Sequence, residues 1–167
     1  MTSTIETGPK IRREGSRVWI DGAEKYEYVD PMFDAVRLEL ALRRDEYSAA
    51  YIQGVSGSAF RIGGICVCAP TCDNAMWPQH LVRLLGYKVQ PAKVDGEGEK
   101  LQATTRESVR RVRAEIDAGR AVLVWHAFTT AEWDVVYGYD AEKGTFLGRG
   151  SYKGNDAEFA EAREGRM

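Results

Sequence analysis

Two stretches constrain this chain more than any others. The first is Gly119-Arg120-Ala121-Val122-Leu123-Val124-Trp125-His126, and the second is Glu132-Trp133-Asp134-Val135-Val136-Tyr137-Gly138-Tyr139-Asp140. Upstream, Val109, Val112 and Ile116 recur at helical spacing and place one apolar stripe on a helix. Gly119 follows that stripe as a natural C-terminal cap. Ala121–Phe128 then reads as a buried strand, and Trp133–Tyr139 as a second strand that runs into Gly-Tyr-Asp. The second half of the chain is therefore expected to build an antiparallel sheet.

The first half reads differently. Arg17–Ile20 alternates and meets Asp21-Gly22, a hairpin signal, which predicts a return strand over Tyr26–Val29. Asp30-Pro31 opens a helix, with Asp as N-cap and proline at the first helical position. Phe33, Val36 and Leu40 with Met32, Leu38 and Leu42 give it a broad apolar face through about Arg44. A short helix is expected over Glu46–Gln53. Gly54-Val55-Ser56-Gly57-Ser58 breaks it, and Ala59–Ile62 begins an extended segment continuing to Val67. Asp73–Gly86 reads as helical in its second half, and Tyr87–Gln90 as a strand. Val94–Leu101 reads as a surface loop, with Thr104 and Glu107 forming a capping-box pattern for the next helix. After Tyr139, Asp140–Gly144 predicts a turn, Thr145–Leu147 a strand and Asn155–Arg163 a short helix. The sum is an α+β fold, with helices mostly in the first half.

Length sets the domain count. At 167 residues the chain suits one domain able to bury most of its apolar surface. Residues 1–15 are polar and read as a flexible N-terminal tail, leaving 16–167 as the domain. A net charge of −2 gives no electrostatic reason to expect a nucleic acid or an anionic membrane as partner. Arg106, Arg110, Arg111 and Arg113 cluster with Glu107 and Glu115 among them, which reads as a solvated helix face. No apolar run approaches the roughly 20 residues that span a bilayer. Cys66, Cys68 and Cys72 suit a reducing compartment better than a disulfide framework, so the expected location is cytoplasmic.

Three features together resemble the papain-like cysteine peptidase superfamily: the early helix, the Gly54–Phe60 segment, and the strand pair that ends in Gly138-Tyr139-Asp140. The likeness extends over roughly Tyr28–Phe146. It is nearest to double-glycine leader peptidase-like proteins and to the N-terminal domains of butirosin-biosynthesis-type acyltransferases. The resemblance implies a helical first half packed on an antiparallel sheet formed mainly by the second half. It also implies a thiolate at the N-terminus of the first helix and a histidine at the opening of the second strand. The matching positions here hold Asp30, Pro31 and Met32, and Glu132 and Trp133. What the resemblance implies is thus a non-catalytic relative that binds a peptide or small molecule in the cleft between helices and sheet. Ser56, Ser58 and Phe60 would line that cleft from one side, and Trp125 and Trp133 from the other.

Two other readings use different residues. Cys72, His126 and Asp134 fall in the chain order of a papain-like triad and would make an active cysteine hydrolase or acyltransferase. The alternative for them is a buried structural thiol and a core or rim histidine. A plain protein–protein interaction module, forming a homodimer, is the third reading. Cys66, Cys68 and Cys72 with His80 invite a zinc site, but Cys66 and Cys68 alternate on an expected strand and would face opposite sides. The glycines of Gly54–Gly64 lack the lysine of a phosphate loop and read as turn chemistry. Neither a metal nor a cofactor is expected.

Overall fold

The computed structural model describes residues 10–27, 30–57, 78–129, 132–150 and 160–163. Among them are six strands and four helices: β1 (Ile11–Glu14), β2 (Arg17–Ile20), α1 (Pro31–Leu42), α2 (Ala49–Ser56), α3 (Pro78–Leu84), α4 (Gly98–Asp117), β3 (Val122–Trp125), β4 (Trp133–Asp140), β5 (Thr145–Arg149) and β6 (Ala160–Arg163). The architecture is mixed helix and antiparallel sheet, with the helices before β3 and most strands after them. No helix among the described residues is long and apolar enough to cross a membrane.

The sheet runs β1-β2-β4-β5-β6, and β3 also pairs with β4. β4 is long enough to hold two partners on one side. β3 takes Trp133 to Val136 and β2 takes Gly138 to Asp140, end to end. β5 covers the other side. A bulge between Val136 and Gly138 inserts one extra residue opposite β5 and turns the strand by one position. Val135 and Tyr137 therefore face one core while Val136 and Tyr139 face the other. Every residue of β4 after Trp133 is buried, as expected of a strand covered on both faces.

α1 covers one face of the sheet. Asp30, extended at φ −159°, accepts a hydrogen bond from Met32 N at 3.0 Å and caps the helix ahead of Pro31. The helix is buried almost all round. Ala35, Leu38 and Leu42 pack with Ile20, Val135 and Tyr137. Met32, Phe33, Val36 and Leu40 pack with Ile52 of α2 and Leu81 and Val82 of α3. Just past the end of α1 stands Arg44, whose φ of 67° puts it in the left-handed region. Arg44 N bonds Ala41 O and Asp45 N bonds Leu40 O, a Schellman closure with arginine where glycine is usual. α4 covers the opposite face, where Val112 and Ile116 pack with Val18, Val136, Tyr139 and Phe146.

Several local expectations change. Residues 11–14, expected within the tail, form β1 and pair with β2 through Gly15-Ser16. Of the return strand expected over Tyr26–Val29, residues 26–27 are described and are not in a strand, and residues 28–29 lie outside the described residues. A strand with alternating pattern can pair on either side, and the two-residue loop before Arg17 closes the shorter hairpin. Tyr87–Gln90 forms no strand, and Tyr87 and Val89 pack instead against the helical cluster. α4 starts at Gly98, six residues before the expected cap at Thr104. The Thr104 hydroxyl donates to Leu101 O and Asp95 O from inside the helix. Residues 160–163, expected as the end of a helix, are β6 on β5.

Candidate functional site

The β3–β4 connection carries most of the residues singled out by sequence. Trp125 and Trp133 are directly opposite in the register, so both side chains leave the same face of the sheet. Their rings meet edge to face, with centroids 5.3 Å apart and planes at 63°, an arrangement favoured by the aromatic quadrupole. Trp133 packs back against the α1 clusters. Trp125 stays 43% exposed. It thus presents a large aromatic ring partly to water and partly against a fixed partner.

His126 follows directly. It is exposed, its φ is 66°, and its backbone N–H bonds Glu132 O at 2.8 Å, which closes the connection at its base. A left-handed conformation at a non-glycine residue costs about 1–2 kcal/mol, so the surrounding bonds must fix it. Asp134 supplies them. Its fully buried carboxylate accepts from Phe128 N at 2.7 Å, Thr129 N at 3.0 Å and Thr129 Oγ1 at 2.8 Å. These bonds hold the loop over the α4 side of the sheet. There Phe128 lies so close to Gly148 that an added Cβ would stand 2.5 Å from its ring.

Of the expected triad, His126 and Asp134 lie among the described residues. Asp134 lies on the strand that sequence reading gave it, but the described bonds of its carboxylate run to the loop backbone and to Thr129, none of them to the imidazole. Cys72 lies outside the described residues, as do Cys66, Cys68, Ser58 and Phe60. Ser56 is buried, and its hydroxyl donates to Gln53 O at 2.5 Å, so it closes the last turn of α2. His80 is exposed on α3. Among the described residues no group of three or more His, Cys, Asp or Glu side chains is placed to hold a metal.

The N-terminus of α1, where the resemblance implies a thiolate, is occupied by carboxylates. Asp30 accepts from Met32 N, and Asp34, fully buried, accepts from Glu27 N at 3.1 Å. Anions complement the positive end of a helix, and these two already do so. Met32, Phe33 and Trp133 belong to one apolar cluster in front of them.

Tyr26 and Thr129 are contributors that sequence reading missed. The Tyr26 hydroxyl donates to Trp133 O at 3.2 Å and ties the segment before α1 to the first residue of β4. Burial, reinforced by the Asp134 and Asp34 carboxylates, pushes its phenol far above the ordinary range, so it stays a neutral donor. Nothing local marks Tyr26, because the carbonyl it serves lies more than one hundred residues away in sequence. Thr129 stands five residues before the Asp134 carboxylate that it reaches, a spacing that only the returning strand makes meaningful.

A cavity of about 210 Å³ lies elsewhere, bounded by Glu24 and Glu27, by Arg37 of α1 and by Glu46 and Tyr47 ahead of α2. It touches none of the expected ligand-binding residues. Among the described residues Arg37 is its one cationic lining residue, and it is almost fully buried. Its guanidinium donates to Asp34 at 3.2 Å, Glu24 at 2.7 Å and Lys25 O at 2.5 Å. A guanidinium so engaged fixes the segment before α1.

No family model, curated protein or solved structure matches the chain.

Proposed function

We propose that this chain is a non-catalytic papain-like domain that binds a peptide or small molecule beside Trp125, His126 and Trp133, on the α1 side of the sheet. The observation that carries the reading is the exposed Trp125 ring set edge-on against the anchored Trp133, with an exposed imidazole next in sequence. Binding sites commonly combine a fixed aromatic surface with a few polar groups beside it. Two features support the non-catalytic half. The carboxylates of Asp30 and Asp34 occupy the helix end where a thiolate would need the dipole. The described bonds of the Asp134 carboxylate serve the loop, at the Phe128 and Thr129 amides and the Thr129 hydroxyl.

A thermal-shift screen of peptide and fragment libraries tests the binding reading, since a ligand that binds only the folded state raises the melting temperature. The expected hits shift the wild-type protein and fail to shift Trp125→Ala. A screen without hits, or hits that shift both proteins equally, removes this surface from consideration. Thiol labelling tests the rival enzyme. An activated thiolate reacts with iodoacetamide well below the ordinary thiol range, at about pH 6, and the expected result here is no such reaction at Cys72.

A further inference from the structure

The buried Asp134 carboxylate has a role that neither a triad nor general packing describes. We infer that Asp134, acting through Thr129, is a positioning residue that presets the exposed His126 and Trp125 for ligand, so that the binding surface is built before anything binds. This inference rests on the binding reading above for the purpose of the surface, but its structural content can be tested without a ligand.

The connection leaves β3 at Trp125, and His126 immediately takes the left-handed conformation. Two sets of bonds bracket it. On one side His126 N donates to Glu132 O; on the other, Asp134 takes the amides of Phe128 and Thr129 and the Thr129 hydroxyl. Asp134 is opposite Val124 in the register, one position away from the tryptophan pair. Side chains of adjacent strand positions leave opposite faces. The strand end therefore carries the exposed tryptophan on one face and the carboxylate that fixes the following loop on the other. Ala127 is buried and Phe128 packs into the α4-side core, which leaves residues 127–129 little freedom to move away from His126. A carboxylate buried without partners is costly, and one that accepts two amides and a hydroxyl is held in a fixed orientation. Thr129 is the specific half of the device: its hydroxyl supplies a bond that can be deleted with little change in volume.

The chain contains only two histidines, His80 and His126, and both are exposed. They give one reporter and one internal control. The experiment compares wild type, Thr129→Val and Asp134→Asn by proton–carbon NMR of the imidazole rings and by the rate of histidine modification with diethylpyrocarbonate. Circular dichroism establishes that each variant is folded. The inference expects the His126 resonances to move and its modification rate to change by at least a few-fold in Thr129→Val, with His80 unchanged. Asp134→Asn is expected to move His126 in the same direction and further. If Thr129→Val lowers the melting temperature but leaves the His126 resonances and rate at their wild-type values, Asp134 and Thr129 are structural only and the inference is wrong. If Asp134→Asn does not fold, Thr129→Val alone decides between these outcomes. Failure of the library screen leaves these readouts untouched, so the two readings fail separately.

Discussion

Each residue of the Gly138-Tyr139-Asp140 sequence has a structural duty that can be measured. A Cβ on Gly138 would stand 2.7 Å from Trp19 Cβ and 2.8 Å from Val18 O, both on neighbouring β2. Gly138→Ala is expected to destabilise the fold by about 1–3 kcal/mol, the usual cost of overpacking, as read from urea unfolding midpoints. The Tyr139 hydroxyl donates to Asp117 at the end of α4, and Arg113 lies over its ring at 5.1 Å. Asp140 accepts from Lys143 N, Ser16 Oγ and Glu142 N, which hold its carboxyl below the usual range. A depressed folded-state value contributes stability that is present above the unfolded-state value and is lost as pH falls toward the folded one. Asp140→Asn should therefore be less stable at neutral pH and lose less stability on acidification than wild type. Equal slopes in the two proteins below the ordinary aspartate range would refute this.

At the scale of elements, helix ends carry clean tests. Ser48, extended at φ −73°, accepts from Tyr51 N at 3.1 Å and caps α2. Ser48→Ala is expected to cost about 1 kcal/mol, measured by chemical denaturation. Arg37 is the larger test, because removing it takes the guanidinium away from the fully buried Asp34 carboxyl. Arg37→Ala is expected to cost about 3–5 kcal/mol, as for one partner of a buried ion pair. A loss below 1 kcal/mol would show that water or another cation replaces it.

The elements also show what a sequence makes legible. α1 was readable because its signals are local: Asp30 and Pro31 at the start, and apolar residues at helical spacing through Leu42. The β3–β4 pair was readable because two apolar runs sit a short connection apart. The partner of β2 was not, because Arg17–Ile20 carries the same pattern whichever neighbour it takes, and β4 lies more than one hundred residues away. The start of α4 was missed because Gly98–Leu101 carries little apolar periodicity, and tertiary context extends the helix past its propensity. At the candidate site, Trp125, His126 and Trp133 could be named from sequence. The destination of the Asp134 carboxylate could not, since a strand aspartate reads the same whether it faces an imidazole or a loop amide.

At the scale of the whole molecule, charge and burial work against each other across the sheet. Glu39 of α1 is buried, which raises its carboxyl, while its bond with Arg43 pulls the other way. For an acid, a raised folded-state value means that its charged form costs stability at neutral pH, and that the cost is relieved as pH falls through that value. Glu39 and Asp140 thus contribute opposite slopes to the acid limb. Glu39→Gln should steepen the loss of stability on acidification by removing the gain, where Asp140→Asn should flatten it. Melting temperatures over a pH series for both variants and the double variant check the signs, and the two changes should add because the two carboxyls have different partners.

The placement of β2 and β3 end to end along one side of β4 has a consequence for how the chain assembles. The β1–β2 hairpin is complete early, yet its one strand partner among the described residues, β4, begins at Trp133. Closing that pairing means bringing together segments separated by most of the chain, and contacts of such separation are slow to form. During synthesis the hairpin and α1 must wait, with apolar faces open, until β4 has emerged. The strand that carries the candidate site at its first residues is also the template on which the N-terminal hairpin docks at its last. Substitutions in the Val136–Gly138 bulge should therefore slow refolding in stopped-flow experiments, and should do so more than equally destabilising changes in α3.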